Sequence, residues 1–248
     1  MGAWHLLFFG LLLIAEILGT IGGFGSSMLV MPLASLFLPF DQALGLTALF
    51  HVFSNASKML LFRKGVSRRL LLWLGVPAVI GVIIGARLTI YLDQRMLSLV
   101  LGATLVVLGT GLLVKSTWKL PATNANALAG GSISGLMAGL AGTGGAVRGI
   151  TLAAFDLEKV AFVSTSAWID MGVDMSRTVV YTAQGFITQT VLVYLPAMAL
   201  CGFVGSWIGM QALRHIDQRI FRVVVLTLVV IMGVITMAQV LLTPSTPA

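Results

Sequence analysis

Apolar residues run almost without interruption along this chain, and polar residues punctuate them at intervals. Eight apolar stretches stand out, at roughly 4–38, 42–62, 69–92, 96–114, 127–155, 160–183, 187–213 and 220–242. A helix needs about 20 apolar residues to cross the hydrocarbon core of a bilayer, and each stretch is long enough. None shows the period-two alternation of a membrane strand, so helices are the predicted spanning form. The first and fifth stretches are too long for one crossing, and a glycine cluster splits each. The first cluster reads Gly19-Thr20-Ile21-Gly22-Gly23-Phe24-Gly25-Ser26-Ser27, the second Gly139-Leu140-Ala141-Gly142-Thr143-Gly144-Gly145-Ala146-Val147-Arg148. Each glycine inside a helix costs roughly 1 kcal/mol against alanine. Such a cluster therefore predicts a break: a re-entrant hairpin or a pair of short helices.

The two clusters align with each other. Gly19, Gly22 and Gly25 match Gly139, Gly142 and Gly145 at an offset of about 120 residues. Arg63-Lys64-Gly65 with Pro77 parallels Gln184-Gly185 with Pro196, and Tyr91-Leu92-Asp93-Gln94-Arg95 parallels His215-Ile216-Asp217-Gln218-Arg219. The chain thus divides into a first repeat at 1–115, a linker at 116–126, a second repeat at 127–242 and a disordered tail at 243–248. If the first and fifth segments turn back to the side they entered from, the repeats are inverted. Arg63, Lys64, Arg68, Arg69, Lys115, Lys119, Lys159, Arg214, Arg219 and Arg222 then share one side, the cytoplasm by the positive-inside rule, and only Arg95 opposes them. Single crossings throughout would spread the charges with little bias. The inverted arrangement is the preferred reading, and a paired helix break in corresponding segments is the sequence pointer to a transporter's binding site.

Composition agrees: 58% of the 248 residues are hydrophobic, 9% are charged, and the mean hydropathy is +1.04. That balance marks an all-α integral membrane protein. The formal charge of +7 sits in short loops between spans, so it reads as topology and not as a nucleic-acid surface. The first segment lacks the positive n-region and small-residue cleavage site of a secretory signal and is read as retained. The lone cysteine, Cys201, excludes an intrachain disulfide and reads as a packing residue. The three histidines are scattered, no metal-ligand spacing exists, and no cofactor is expected.

Ionisable residues inside spans are functional candidates because the bilayer makes them costly. Asp170, Asp174 and Arg177 fall on one helix face, and so do His51 and Asn55. Asn55 and Lys58 occupy places in the first half comparable to Asp174 and Arg177. Each residue also has a structural reading. Asp174 with Arg177 makes an ion pair, Arg148 pairs with Asp170 or Asp174, His51 packs through a hydrogen bond, Glu16 is buried against a loop, and Lys58 snorkels to the cytoplasmic edge. Gly81-x-x-x-Gly85 and Gly205-x-x-x-Gly209 have the spacing of close helix contacts.

A helix that restarts after a glycine break presents free N–H groups and a partial positive charge, which suit carboxylate, sulfonate or phosphate. The candidate anion ligands are therefore Gly22, Gly23, Gly25, Ser26, Ser27 and Asn55 from the first half, with Gly142, Thr143, Gly144, Gly145 and Arg148 from the second. His51, Asp170, Asp174 and Arg177 are candidates for coupling or gating. Gly22-Gly23-Phe24-Gly25 is no nucleotide loop, because no strand precedes it and no Gly-Lys-Ser/Thr follows.

The chain resembles the sulfite exporter TauE/SafE family of small bacterial membrane proteins. The carriers are Gly22-Gly23-Phe24-Gly25 with Met31-Pro32-Leu33, the Ala43 to Thr47 helix start, Arg63-Lys64-Gly65, and Gly81 to Arg87 ahead of Asp93-Gln94-Arg95. The second half departs from the pattern, with Leu152 where the first has Pro32 and with the added charges Arg148, Asp170 and Asp174. The resemblance implies an eight-segment transporter of small anions in the bacterial inner membrane, with sulfite, sulfoacetate and other organosulfonates as the usual substrates. The expectation is a secondary transporter, an exporter of a small anion with H+ as a coupling candidate, and no enzyme. The alternatives are an anion channel, a helper subunit of a larger complex and, least of all, a membrane-embedded enzyme.

Overall fold

The computed structural model describes residues 3–22, 25–114, 121–155, 157–213 and 218–242, and among them every regular element is a helix. Gly23, Phe24, residues 115–120 of the linker region, 214–217 in the second Asp-Gln-Arg motif and the tail at 243–248 lie outside the described residues. The first apolar stretch holds α1 (Ala3–Gly22) and α2 (Ser27–Ser35), and the second holds α3 (Phe40–Leu61). The third begins with α4 (Arg68–Leu70), passes through a π-helical turn at Leu71–Gly75 into α5 (Val76–Leu88), and ends in a 3-10 turn at Thr89–Tyr91. Next come α6 (Gln94–Val114), α7 (Asn124–Ala141), α8 (Gly145–Ala153) and α9 (Lys159–Ala183). The chain finishes with α10 (Gln189–Val193), α11 (Leu195–Ala212) and α12 (Gln218–Leu242). Among the described residues four spans, Trp4–Ile21, Arg68–Tyr91, Gln94–Val114 and Leu195–Ala212, are long and apolar enough to cross a membrane. The long helices α3 and α9 are less apolar because they carry the polar stripes.

Local chemistry accounts for the interruptions. Gly25 and Gly142 adopt φ of 80° and 71°, the left-handed region where a Cβ is penalised. Gly142 caps α7, and its N–H reaches Ala138 O at 3.1 Å. At the other end of α7, Thr123 accepts from Asn126 N at 3.1 Å as an N-cap. Pro77 lacks the N–H that would continue the α-helical ladder, and the turn before it widens so that Val76 N–H bonds Leu71 O. Pro196 stands just after the junction of α10 and α11.

After α2 the chain comes back to the start of α1. Phe37 lies 6.4 Å from the Trp4 ring and 5.1 Å from the Phe8 ring. After α8 it comes back to the start of α7, because Arg69 binds Asn124 Oδ1 at 2.8 Å through Nε and also lies 5.8 Å above the Phe155 ring. Around these two hairpins the packing is reciprocal. α5 lies along α7 and α11 along α1; α5 meets α9 and α11 meets α3; α3 pairs with α9 and α6 with α12. Small residues allow the close pairs. A Cβ on Gly81 would stand 2.6 Å from Ser132 O, and one on Gly205 would stand 2.8 Å from Glu16 Cβ. The main core gathers around Leu12, Met31, Leu44, Phe50 and Tyr181, and a second around Leu74, Ala78 and Ile169.

Candidate functional site

The centre of the molecule is polar. α3 and α9 pass it side by side, and the turn before α2 and the turn before α8 both end there. α3 brings His51, Asn55 and Lys58; α9 brings Asp170, Asp174 and Arg177. These six side chains are buried, as are Ser26, Ser27 and Arg148. Burial of so many polar groups requires partners, since each unpaired one costs free energy.

One network surrounds Glu16, which is wholly buried. Its Oε1 accepts from Ser54 at 2.6 Å, Ser206 at 2.9 Å and Thr20 at 3.1 Å, and Lys58 Nζ stands 2.8 Å away. Its Oε2 accepts from Ser26 Oγ at 2.6 Å. Lys58 therefore does not snorkel to the membrane edge. Glu16 and the Ser54 hydroxyl, 2.9 Å from Nζ, hold it inside. The second network belongs to α9. Arg177 contacts Asp174 Oδ1 at 2.7 Å through both Nε and Nη2, and Asn55 donates to Asp174 Oδ2 at 2.6 Å. The Arg177 Nη1 reaches the carbonyls of Ala138 and Gly142, both at 3.4 Å. His51 joins the two networks, with Nδ1 3.0 Å from Arg177 Nη2 and Nε2 3.0 Å from Ser26 Oγ. A third contact pairs Arg148 Nη2 with Asp170 Oδ1 at 2.5 Å. Glu16, Asp170 and Asp174 thus balance Lys58, Arg148 and Arg177, one charge against another.

Between these groups lies a cavity of about 20 Å³, enough for a single water at roughly 10–15 Å³ each. Gly25, Ser26 and Ser27 line it from the start of α2, and Gly142, Gly144 and Arg148 from the start of α8. His51, Asn55, Lys58, Asp170, Asp174 and Arg177 complete most of the wall. Neither Ser26 nor Gly144, the N-caps of α2 and α8, makes a side-chain cap. Their helices present uncapped N-termini to the same space. Gly22 ends α1; Gly145, which opens α8, does not line the cavity, and Thr143 is buried beside it without lining it. Gly23 lies outside the described residues. Among the described residues no His, Cys, Asp and Glu cluster is placed to hold a metal ion.

The profile of the sulfite exporter TauE/SafE family matches residues 7–236. The chain belongs to that family. No curated protein and no solved structure gives a match. As a TauE/SafE protein it is a membrane exporter of the sulfite type and not an enzyme. The matched region contains both glycine clusters, both hairpins and every residue of the central networks. The anion-ligand candidates therefore fall inside the family's own fold, in the part of the TauE/SafE protein that brings residues some 120 positions apart together.

Glu16 and Lys58 emerge as one unit only in three dimensions, since they stand on different helices, α1 and α3, joined by the contacts of Glu16 with Lys58 and Ser54. Part of their network was readable in sequence: Thr20 stands four residues after Glu16 and Ser54 four before Lys58, each on the same helix face. Ser206 carries no such local signal, because it comes from α11.

Proposed function

We propose that this TauE/SafE protein is a secondary transporter that exports a small sulfur oxyanion, sulfite or an organosulfonate, across a bacterial inner membrane. The observation that carries the reading is the convergence of the α2 and α8 N-termini on one cavity that also holds Arg148. Free N–H groups and the partial positive charge of both helix ends favour an anion there. Gly25 and Gly142 bring backbone to the cavity wall, and Ser27 adds a hydroxyl.

Two inverted repeats, 1–115 and 127–242, make the transport cycle intelligible. The reciprocal packing of α5 on α7 and α11 on α1 supports them. So does the return of Phe37 to Trp4 and of Phe155 to the Asn124 end, which favours two re-entrant hairpins entering from opposite faces. Their tips meet near the midplane, where Gly25 approaches Arg148. A cavity of about 20 Å³ is too small for sulfite, so the hairpins part to admit it, as alternating access requires. Asp170, Asp174 and His51 are the groups placed to couple proton movement to that opening.

Counterflow in proteoliposomes tests the transporter against the channel. Vesicles loaded with unlabelled sulfite should transiently accumulate labelled sulfite from outside, with saturation, and Arg148→Ala should abolish the overshoot. Conductance without an overshoot would replace the transporter with a channel. Normal counterflow by Asp170→Asn and Asp174→Asn with unchanged pH dependence would remove proton coupling from these carboxylates.

A further inference from the structure

The three buried carboxylates are not held alike. Glu16 takes four hydroxyl donors and the Lys58 ammonium, and it has no exposure. Asp174 has both oxygens committed, one to Arg177 and one to Asn55, each within 2.7 Å. Asp170 has one guanidinium nitrogen on Oδ1 and a long 3.2 Å bond from Ser166 on Oδ2. Its side chain is also the most exposed of the three at 12%, against 7% for Asp174 and 0% for Glu16.

The cations differ in the same order. Arg177 uses Nε and Nη2 on one carboxylate and Nη1 on backbone carbonyls. Arg148 spends Nη2 on Asp170, and its buried Nε has no partner among the described residues, although only 4% of the residue is exposed. An idle Nε beside a used Nη2 is half of a fork. A carboxylate that touches one tine leaves the other for a second oxygen. Asp170 also lies beside two spaces of water size. It borders the main cavity and a second one of about 10 Å³ bounded by Thr20, Gly25, Lys58 and Ser166.

We infer that Asp170 is a built-in competitor for the transported anion: its carboxylate occupies Arg148 until an oxyanion with two oxygens displaces it and takes both Nε and Nη2. This rests on the anion-transport reading above and adds a specificity device to it. The cavity charges cancel while Asp170 holds Arg148, so a weakly held or single-atom anion finds no free cation. An oxyanion that spans the fork replaces a one-point contact with a two-point one, and Asp170 turns toward Lys58. Asp170 then sets the affinity threshold of the site, and the fork selects sulfite-type oxyanions over halides.

The test is sulfite and chloride binding to the detergent-purified full chain, read by melting shift at constant ionic strength. Asp170→Asn should bind sulfite at least tenfold tighter than the natural protein. Asp93→Asn, which removes one exposed charge far from the cavity, should bind as the natural protein does. Arg148→Lys keeps the charge without the fork and should lose the preference for sulfite over chloride. Asp170→Ser, smaller and also neutral, carries the same test should the amide variant not fold. Sulfite binding by the neutral variants equal to or weaker than that of the natural protein overturns the competitor role and leaves the anion site standing. Absence of sulfite binding from every protein overturns the anion site as well.

Discussion

Arg177 Nη2 lies 3.0 Å from His51 Nδ1, and this contact fixes the state of the ring. A guanidinium can only donate, so Nδ1 is the acceptor and carries no proton. Ser26 Oγ gives its hydrogen to Glu16 Oε2 at 2.6 Å, so His51 Nε2 must donate to Ser26 across 3.0 Å. The result is a directed chain from α9 to α1: Arg177 to His51, His51 to Ser26, Ser26 to Glu16. Ser26 is the N-cap of α2, so the tip of the first hairpin is oriented by a residue of the second half.

That direction predicts which replacements His51 tolerates. Glutamine offers one acceptor and one donor at the end of a side chain, so His51→Gln should keep most of the chain and most transport. His51→Leu leaves Arg177 Nη2 with Asp174 alone and takes the ring from Ser26 Oγ, and should cost about 1–3 kcal/mol, the usual penalty for an unsatisfied buried group. Unfolding in detergent with both variants decides this. Equal losses would mean that the ring fills space and relays no polarity.

Glu16 and Lys58 should behave as a unit. Lys58→Met leaves a buried carboxylate without its counter-ion, and breaking such a pair from one side costs roughly 3–5 kcal/mol. Glu16→Gln/Lys58→Met removes both charges and keeps an acceptor for the hydroxyls, so it should regain most of that loss. A double-mutant cycle of melting free energies measures the coupling, expected at about 2 kcal/mol or more. Additive single effects would show that the four hydroxyls alone hold Glu16.

The two left-handed glycines should differ in their tolerance of a methyl group. An L-residue in that region costs roughly 1–2 kcal/mol at either position. At Gly25 a Cβ would lie 3.5 Å from Arg148 Nη2, an ordinary contact, so Gly25→Ala should cost little beyond the backbone term. At Gly142 it would lie 2.8 Å from both Cγ and Sδ of Met31 and 3.1 Å from Leu44. Overpacking adds roughly 1–3 kcal/mol, so Gly142→Ala should be the more destabilised in a melting comparison. The reverse order would mean that Met31 moves aside freely.

Much of this was legible in the chain. Each apolar stretch contains one or two helices, and the glycine clusters coincide with the ends of α1 and α7. The spacing of Asp170, Asp174 and Arg177 puts them on one face, and the Asp174–Arg177 pair follows from that spacing. Asn55 and Asp174 hold comparable places in the two halves of the sequence, and they bond directly. What escaped is what depends on interhelical register. Lys58 looked like a residue able to reach the membrane edge, because its aliphatic arm permits either course. Only the approach of α1, with Glu16 on the facing side, decides that it stays inside. Ser206 escaped for the same reason, since its role exists only where α11 lies along α1.

That last contact carries a prediction of its own. Gly81 and Gly205 each sit at a close helix contact, on α5 against α7 and on α11 against α1, but they press on different things. A Cβ at Gly81 would meet backbone, Ser132 O at 2.6 Å and Leu136 N at 3.0 Å, so Gly81→Ala must push two helices apart. A Cβ at Gly205 would meet the Glu16 side chain, Cβ and Cγ both at 2.8 Å. Glu16 cannot simply swing away, because Ser54, Ser206, Thr20, Ser26 and Lys58 hold its carboxylate. Gly205→Ala should therefore disturb the Ser26 end of α2, whereas Gly81→Ala should act on stability alone. Melting temperature and sulfite counterflow, measured side by side, separate the two. Gly81→Ala should melt earlier yet transport normally once folded, at a cost of roughly 1–3 kcal/mol for overpacking. Gly205→Ala should lose transport out of proportion to its change in melting. Equal proportions in the two variants would mean that Glu16 serves packing only, and that the chain from Arg177 to Glu16 has no part in moving the anion.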